Sequence, residues 1–127
     1  MIIRDLKDCA EITAGDGSAL RELFNPGAGA FQFGYSLAHA IVKRGGKTRP
    51  HRLKSSEVYY ILEGRGVMHV GDEASEVAAG QAVYIPPCHT QSIENTGGTD
   101  LVFLCLVDPA WQPEDEEVLP AGKSRTP

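Results

Sequence analysis

Few places in this chain can do chemistry. No Ser-His-Asp order, phosphate-cradling glycine loop or Cys-x-x-Cys pair is present. Cys9, Cys88 and Cys105 are an odd set without paired spacing, which reads as reduced thiols and not as a disulfide framework or a zinc ribbon. What remains is a group of polar side chains in the middle of the chain: His51, Glu57, Tyr59 and Gln91, with His39 and His89 nearby. Alternate side chains of a strand share one face, so positions 51 and 53 look the same way, as do 57, 59 and 61, and likewise 89 and 91. Burying an ionised Glu57 without a partner would cost several kcal/mol or raise its pKa. It must therefore meet a cation, a donor such as His51 or Tyr59, or solvent.

Two spacing patterns tie these groups together. Gly45, His51, Glu57 and Gly64 fall at the intervals of G-x5-H-x-H-x3,4-E-x6-G, and Gly80, Pro86 and Asn95 at those of G-x5-P-x-G-x2-H-x3-N. Between Gly45 and Asn95 the chain thus resembles the small single-domain cupins, the cupin 2 conserved barrel family. The resemblance implies an all-β fold, a double-stranded β-helix or jelly-roll barrel, with extended N- and C-terminal arms. It also implies a divalent metal (manganese, iron, nickel or zinc) held inside the barrel by two His and one Glu of the first motif and one His of the second.

Three family positions are altered: Leu53 stands at the second His, Cys88 at a turn Gly and Gln91 at the last His. The metal set carried over is then His51, Glu57 and Gln91. An amide oxygen is a hard neutral ligand, better suited to manganese, iron or magnesium than to zinc or copper. His89 shares a strand face with Gln91 and is a candidate to replace an imidazole. So is His39, if Tyr35, Leu37 and Ile41 form the buried face of their strand; the apolar pattern fits either face. Leu53 becomes an inward apolar wall, and Leu53 and Tyr59 would border a bound substrate. The alternative for His51 and Glu57 is a hydrogen-bonded buried pair retained from a metal-binding ancestor.

Six of the twelve basic residues gather between Lys43 and Lys54 without one acid among them. The family places this loop at the barrel mouth, where Arg49 and Arg52 could clamp a small carboxylate or phosphate. A solvated basic loop, or a contact for the acidic tail of a partner, with Glu114 to Glu117 as the opposite patch, reads the same residues equally well.

The elements that must position these groups are short apolar runs broken by Gly, Pro, Asp and Asn, the punctuation of an all-β domain. Strands are predicted within Ala19–Phe24, Phe31–Lys43, Glu57–Glu63, Gly66–Val70, Glu76–Ala78, Ala82–Ile85, Thr90–Asn95 and Leu101–Val107, with a hairpin turn at Gly71 and Asp72. The run from Leu101 to Val107 is apolar enough to suit a strand buried on both faces. The chain divides into an N-terminal arm with a first strand (1–24), the barrel (25–107) and an extended C-terminal arm (108–127), frayed past about Leu119. Pairing as a homodimer, with an arm laid across the neighbouring barrel, would cover open sheet edges.

With 127 residues, 42% hydrophobic and 23% charged, one compact domain is expected. A net charge of -5 argues against a nucleic-acid partner, and the absence of a long apolar run argues against a membrane, so a cytoplasmic location is expected. Three functions stay open: a metal-dependent oxygenase, decarboxylase or isomerase acting on a small anionic or hydroxylated metabolite; a binder of a small ligand; or a structural dimer that has lost its chemistry.

Overall fold

A computed structural model describes residues 1–28 and 31–120. Among the described residues eleven strands follow in order: β1 (Glu11–Thr13), β2 (Ala19–Phe24), β3 (Ser36–Val42), β4 (His51–Leu53), β5 (Ser56–Glu63), β6 (Arg65–Val70), β7 (Glu73–Ala78), β8 (Ala82–Ile85), β9 (Gln91–Asn95), β10 (Leu101–Asp108) and β11 (Glu116–Val118). They form two antiparallel sheets, β1-β2-β3-β10-β5-β8 and β11-β4-β9-β6-β7, which face each other as a barrel. The all-β jelly-roll architecture expected from the sequence is the one observed. Among the described residues no helix is long and apolar enough to cross a membrane.

Alternation decides what each strand buries. In β5 the residues Glu57, Tyr59 and Ile61 are buried while Tyr60 and Leu62 are exposed. In β3 the even positions Ser36, Ala40 and Val42 face inward, and in β10 the odd positions Leu101, Phe103, Cys105 and Val107 do. Tyr59 and Phe103 stack with centroids 4.5 Å apart at the centre of a core that also holds Ile61, Ile85 and Ile93. Truncating a ring so placed costs about 3–5 kcal/mol. The expectation that β10 is buried on both faces is met only in part, because Leu106 on its outer side stays 38% exposed.

The turns follow their sequence signals. Gly71 and Asp72 join β6 to β7, with Gly71 at φ +57°. Gly64, between β5 and β6, has φ +85°, and a β-carbon there would lie 2.6 Å from the Asp100 carbonyl oxygen, so only glycine fits. Asn95 pins the crossing from β9 to β10: its Nδ2 donates to the carbonyls of Val42 and Thr99, and its Oδ1 accepts from Gly97 N. The short strand β4 carries positions 51 and 53 as expected, while β1 and β11 fall outside the predicted strands. They lack an apolar run, and their pairing partners supply what the local sequence does not.

The chain after β10 crosses the barrel end. Trp111 N donates to Ser36 Oγ at 2.9 Å, and β11 then adds to the edge of β4. Most of the stretch predicted to fray past Leu119 lies outside the described residues.

Candidate functional site

The site begins with β4, too short to hold itself in place. Cys88 N donates to Leu53 O, and Arg49 N donates to Asp16 O at 2.7 Å. These bonds leave His51 and Leu53 buried and facing inward, and turn Arg52 outward. His51 Nδ1 lies 2.9 Å from the Arg49 carbonyl oxygen. A carbonyl only accepts, so Nδ1 carries a proton and Nε2 is the ring nitrogen left facing the interior.

Facing that nitrogen at 3.8 Å is Asp16 Oδ2, from the turn between β1 and β2. Asp16 Oδ1 is held by Ser18 N at 3.0 Å and by Ser18 Oγ at 2.7 Å, which aims Oδ2 at the imidazole. Asp16 and Ser18 are both buried. Sequence reasoning missed Asp16. Its local signal, Asp-Gly-Ser, announces a turn capped by its own side chain and says nothing of burial.

Glu57 sits on β5 with 6% of its surface exposed, and its Oε1 has no hydrogen-bond partner. Burial pushes its pKa up to about 8; the carboxylates of Asp16 and Glu116 add to the shift and the Gln91 side chain opposes it. At neutral pH Glu57 is therefore mainly a neutral carboxylic acid, able to donate as well as accept.

Gln91 is the register partner of His51 across β4 and β9, and it is 1% exposed. Its Oε1 accepts a hydrogen bond from the buried Tyr59 hydroxyl at 3.1 Å. The structure thus brings His51, Glu57, Tyr59 and Gln91 together, with Leu53 as an apolar wall. Together with Asp16, Glu22, Ser36, Phe103, Trp111 and Glu116, all of them except Gln91 line a cavity of about 330 Å³ between the sheets. That is the lower end of the range for small-molecule sites.

Four other candidates lie elsewhere. His39 is on the outer side of β3, in register with Arg21 and Leu104, because Ser36, Ala38 and Ala40 form the inner face. Burial and the Arg21 charge lower its pKa. His89 is exposed in the loop before β9, its Nδ1 3.0 Å from the Pro87 carbonyl oxygen. Arg49 Nη2 donates to Leu119 O at 3.2 Å, and Arg52 Nε pairs with Glu117 at 2.8 Å. The two arginines fasten the C-terminal strand to β4 and line no part of the cavity, so the expected anion clamp is not formed.

The metal implied by the spacing pattern can be tested against these donors. Leu53 offers none, and the Gln91 oxygen is turned to Tyr59 behind the cavity wall. Among the described residues no three His, Cys, Asp or Glu side chains stand where one ion could be held. A four-donor centre of two His, Glu and a third His does not fit this chain.

Residues 38–107 match the profile of a family described as the cupin domain. The uncharacterized protein MJ1618 of Methanocaldococcus jannaschii is 47% identical over 107 residues, spanning 82% of this chain and 83% of that one. An oxalate-binding protein of Thermotoga maritima is 43% identical over 51 residues, 40% of this chain and 42% of that protein. Among solved structures, the polyketide cyclase RemF of Streptomyces resistomycificus superposes with a TM-score of 0.77 at 22% identity, over 98% of this chain and 89% of its own. That last likeness is one of fold.

Proposed function

We propose, from the premise that this chain belongs to the cupin domain family, that its barrel binds a small organic molecule and moves a proton on it with Glu57 and His51. The observation that carries this reading is Glu57 Oε1, a buried polar atom without a partner on the wall of an apolar cavity. A native fold rarely leaves such an atom unpaired unless something else completes it. Glu57 as the neutral acid can donate to a developing oxyanion or leaving group. His51, with a free Nε2, can take a proton from the opposite side. The apolar walls of Leu53, Phe103 and Trp111 exclude water and raise the worth of each of these contacts.

A second reading keeps the divalent metal, as manganese, iron, nickel or zinc, and with it the oxygenase, decarboxylase or isomerase chemistry drawn from the family pattern. The same unpartnered Glu57 oxygen favours it, since a cation would complete that atom equally well. It requires Asp16 or Glu57 to rotate before three donors could meet. A non-catalytic binder would use the same cavity without turnover.

Thermal unfolding of protein stripped with EDTA, screened against a small-molecule fragment set, separates these. Binding that survives EDTA and is abolished by Leu53→Trp, which fills the cavity, supports the proposal. A stoichiometric metal in purified protein, whose removal abolishes all ligand binding, overturns it in favour of the metal reading.

A further inference from the structure

The charge lining the cavity has one sign. Asp16, Glu22 and Glu116 reach its wall beside the neutral acid Glu57, and among the described residues no Lys or Arg does, although six basic residues lie between Lys43 and Lys54. Arg49 and Arg52 are bound to the C-terminal segment, at Leu119 O and Glu117. Walls of low polarity concentrate such a field. An anion would enter this space against it.

Three acceptors face the interior without a donor of their own. Asp16 Oδ2 is free because Ser18 takes only Oδ1. His51 Nε2 is unpartnered because only Nδ1 meets the Arg49 carbonyl, and it stands 3.8 Å from Asp16 Oδ2, too far for a direct hydrogen bond. Glu57 Oε1 is buried and unpartnered. One group with several N–H donors could serve Asp16 Oδ2 and His51 Nε2 together, where a hydroxyl, with one donor, could serve only one. Tyr59, Phe103 and Trp111 add aromatic walls of the kind that suits a cation.

We infer that the barrel selects a positively charged ligand, a small organic ammonium with an apolar body, and that Asp16 is the residue that reads its charge. This rests on the proposed cavity-binding function and names the ligand class within it. The shared chemistry is positive charge, which a divalent cation could also supply.

The test is calorimetric titration of EDTA-treated, dialysed protein at low salt with three probes of matched size: cyclohexylmethylammonium, cyclohexylmethanol and cyclohexanecarboxylate. The ammonium is expected to bind at least tenfold more tightly than the alcohol, and the carboxylate not measurably. Asp16→Asn keeps the Oδ1 acceptor for Ser18, so the turn should hold. It is expected to erase the tenfold preference while leaving alcohol binding in place. Equal binding of alcohol and ammonium, or tightest binding of the carboxylate, overturns the charge inference and leaves the cavity reading standing. Failure of all three probes overturns the cavity reading as well. Binding of MnCl2 but not the ammonium, lost in Asp16→Asn, assigns the charge to a metal ion and overturns the organic assignment.

Discussion

The Tyr59 hydroxyl donates to Gln91 Oε1 at 3.1 Å, and both residues are buried almost completely. That bond commits the amide at the family's last His position to the core. Tyr59→Phe should strand the Gln91 oxygen without a donor and cost about 1–3 kcal/mol. Urea unfolding measures it, and pairing the change with Gln91→Leu should recover part of the loss, since both polar partners then leave together. A Tyr59→Phe variant as stable as the wild type would mean that Gln91 has another donor.

The two positions that lost an imidazole remain well placed. Leu53 points into the cavity one alternation beyond His51, and Gln91 faces His51 across the ladder. The double variant Leu53→His, Gln91→His is expected to gain about one tightly bound divalent metal per chain, read by elemental analysis after dialysis, where the wild type holds much less. If the wild type already carries one equivalent that Glu57→Gln removes, its donors converge better than this geometry allows.

Glu57 links site and stability through pH. Its folded pKa of about 8 lies above its ordinary value of 4.5, so between those values the folded state holds a proton that the unfolded chain gives up. The folded form is then favoured at low pH, and this group's contribution falls as pH rises from about 4.5 to about 8. Above pH 8 the full penalty, on the order of several kcal/mol, applies. Glu57→Gln removes that slope: the gap in unfolding free energy between variant and wild type should widen in the variant's favour from pH 5 to pH 8. A gap independent of pH would show that Glu57 is ionised throughout.

The sequence displayed the parts of this fold whose local pattern and tertiary role agree. Alternation in Glu57, Tyr59 and Ile61, the turn at Gly71 and Asp72, and the glycines that end strands could all be read without coordinates, because period and backbone sterics are local properties. That positions 51 and 91 draw together is what the family resemblance implied; their direct pairing in the ladder is a finding of the structure. Asp16 was invisible, because its burial depends on Arg49 N reaching across to its carbonyl, a contact between segments more than thirty residues apart in the chain. Arg49 and Arg52 were misplaced for a related reason: a basic loop signals charge but not direction. Their aim was set by β11, an acidic three-residue strand that propensity does not predict.

Cys88 stands where the family pattern has glycine, and the backbone keeps the glycine conformation, with φ +64°. A side chain in that region carries a steric cost of roughly 1 kcal/mol. Cys88→Gly should relieve it, partly offset by the added freedom of the unfolded chain, for a net gain of a few tenths of a kcal/mol to about 1. Cys88→Val, β-branched, should lose stability. Thermal unfolding ranks the three; a valine variant matching the glycine one would show that the loop relaxes to another conformation.

The outer side of the six-stranded sheet is unusually apolar for a surface open to water. Leu37, Leu106, Val58 and Tyr84 lie side by side in register across β3, β10, β5 and β8, with Leu104 and Tyr60 in the next row. Tyr84 is 63% exposed and Tyr60 43%. An apolar row of this extent suits an isologous contact, in which the same rows of a second copy of the chain cover it across a two-fold axis. The expected result is a dimer by light scattering coupled to size exclusion, dissociating to monomer in Leu106→Glu, where a charge would be buried at the centre of the contact. The cavity opens on the opposite side of this sheet, so the monomeric variant should still bind ammonium probes. A wild type that is monomeric at tens of micromolar would leave this face to some other role.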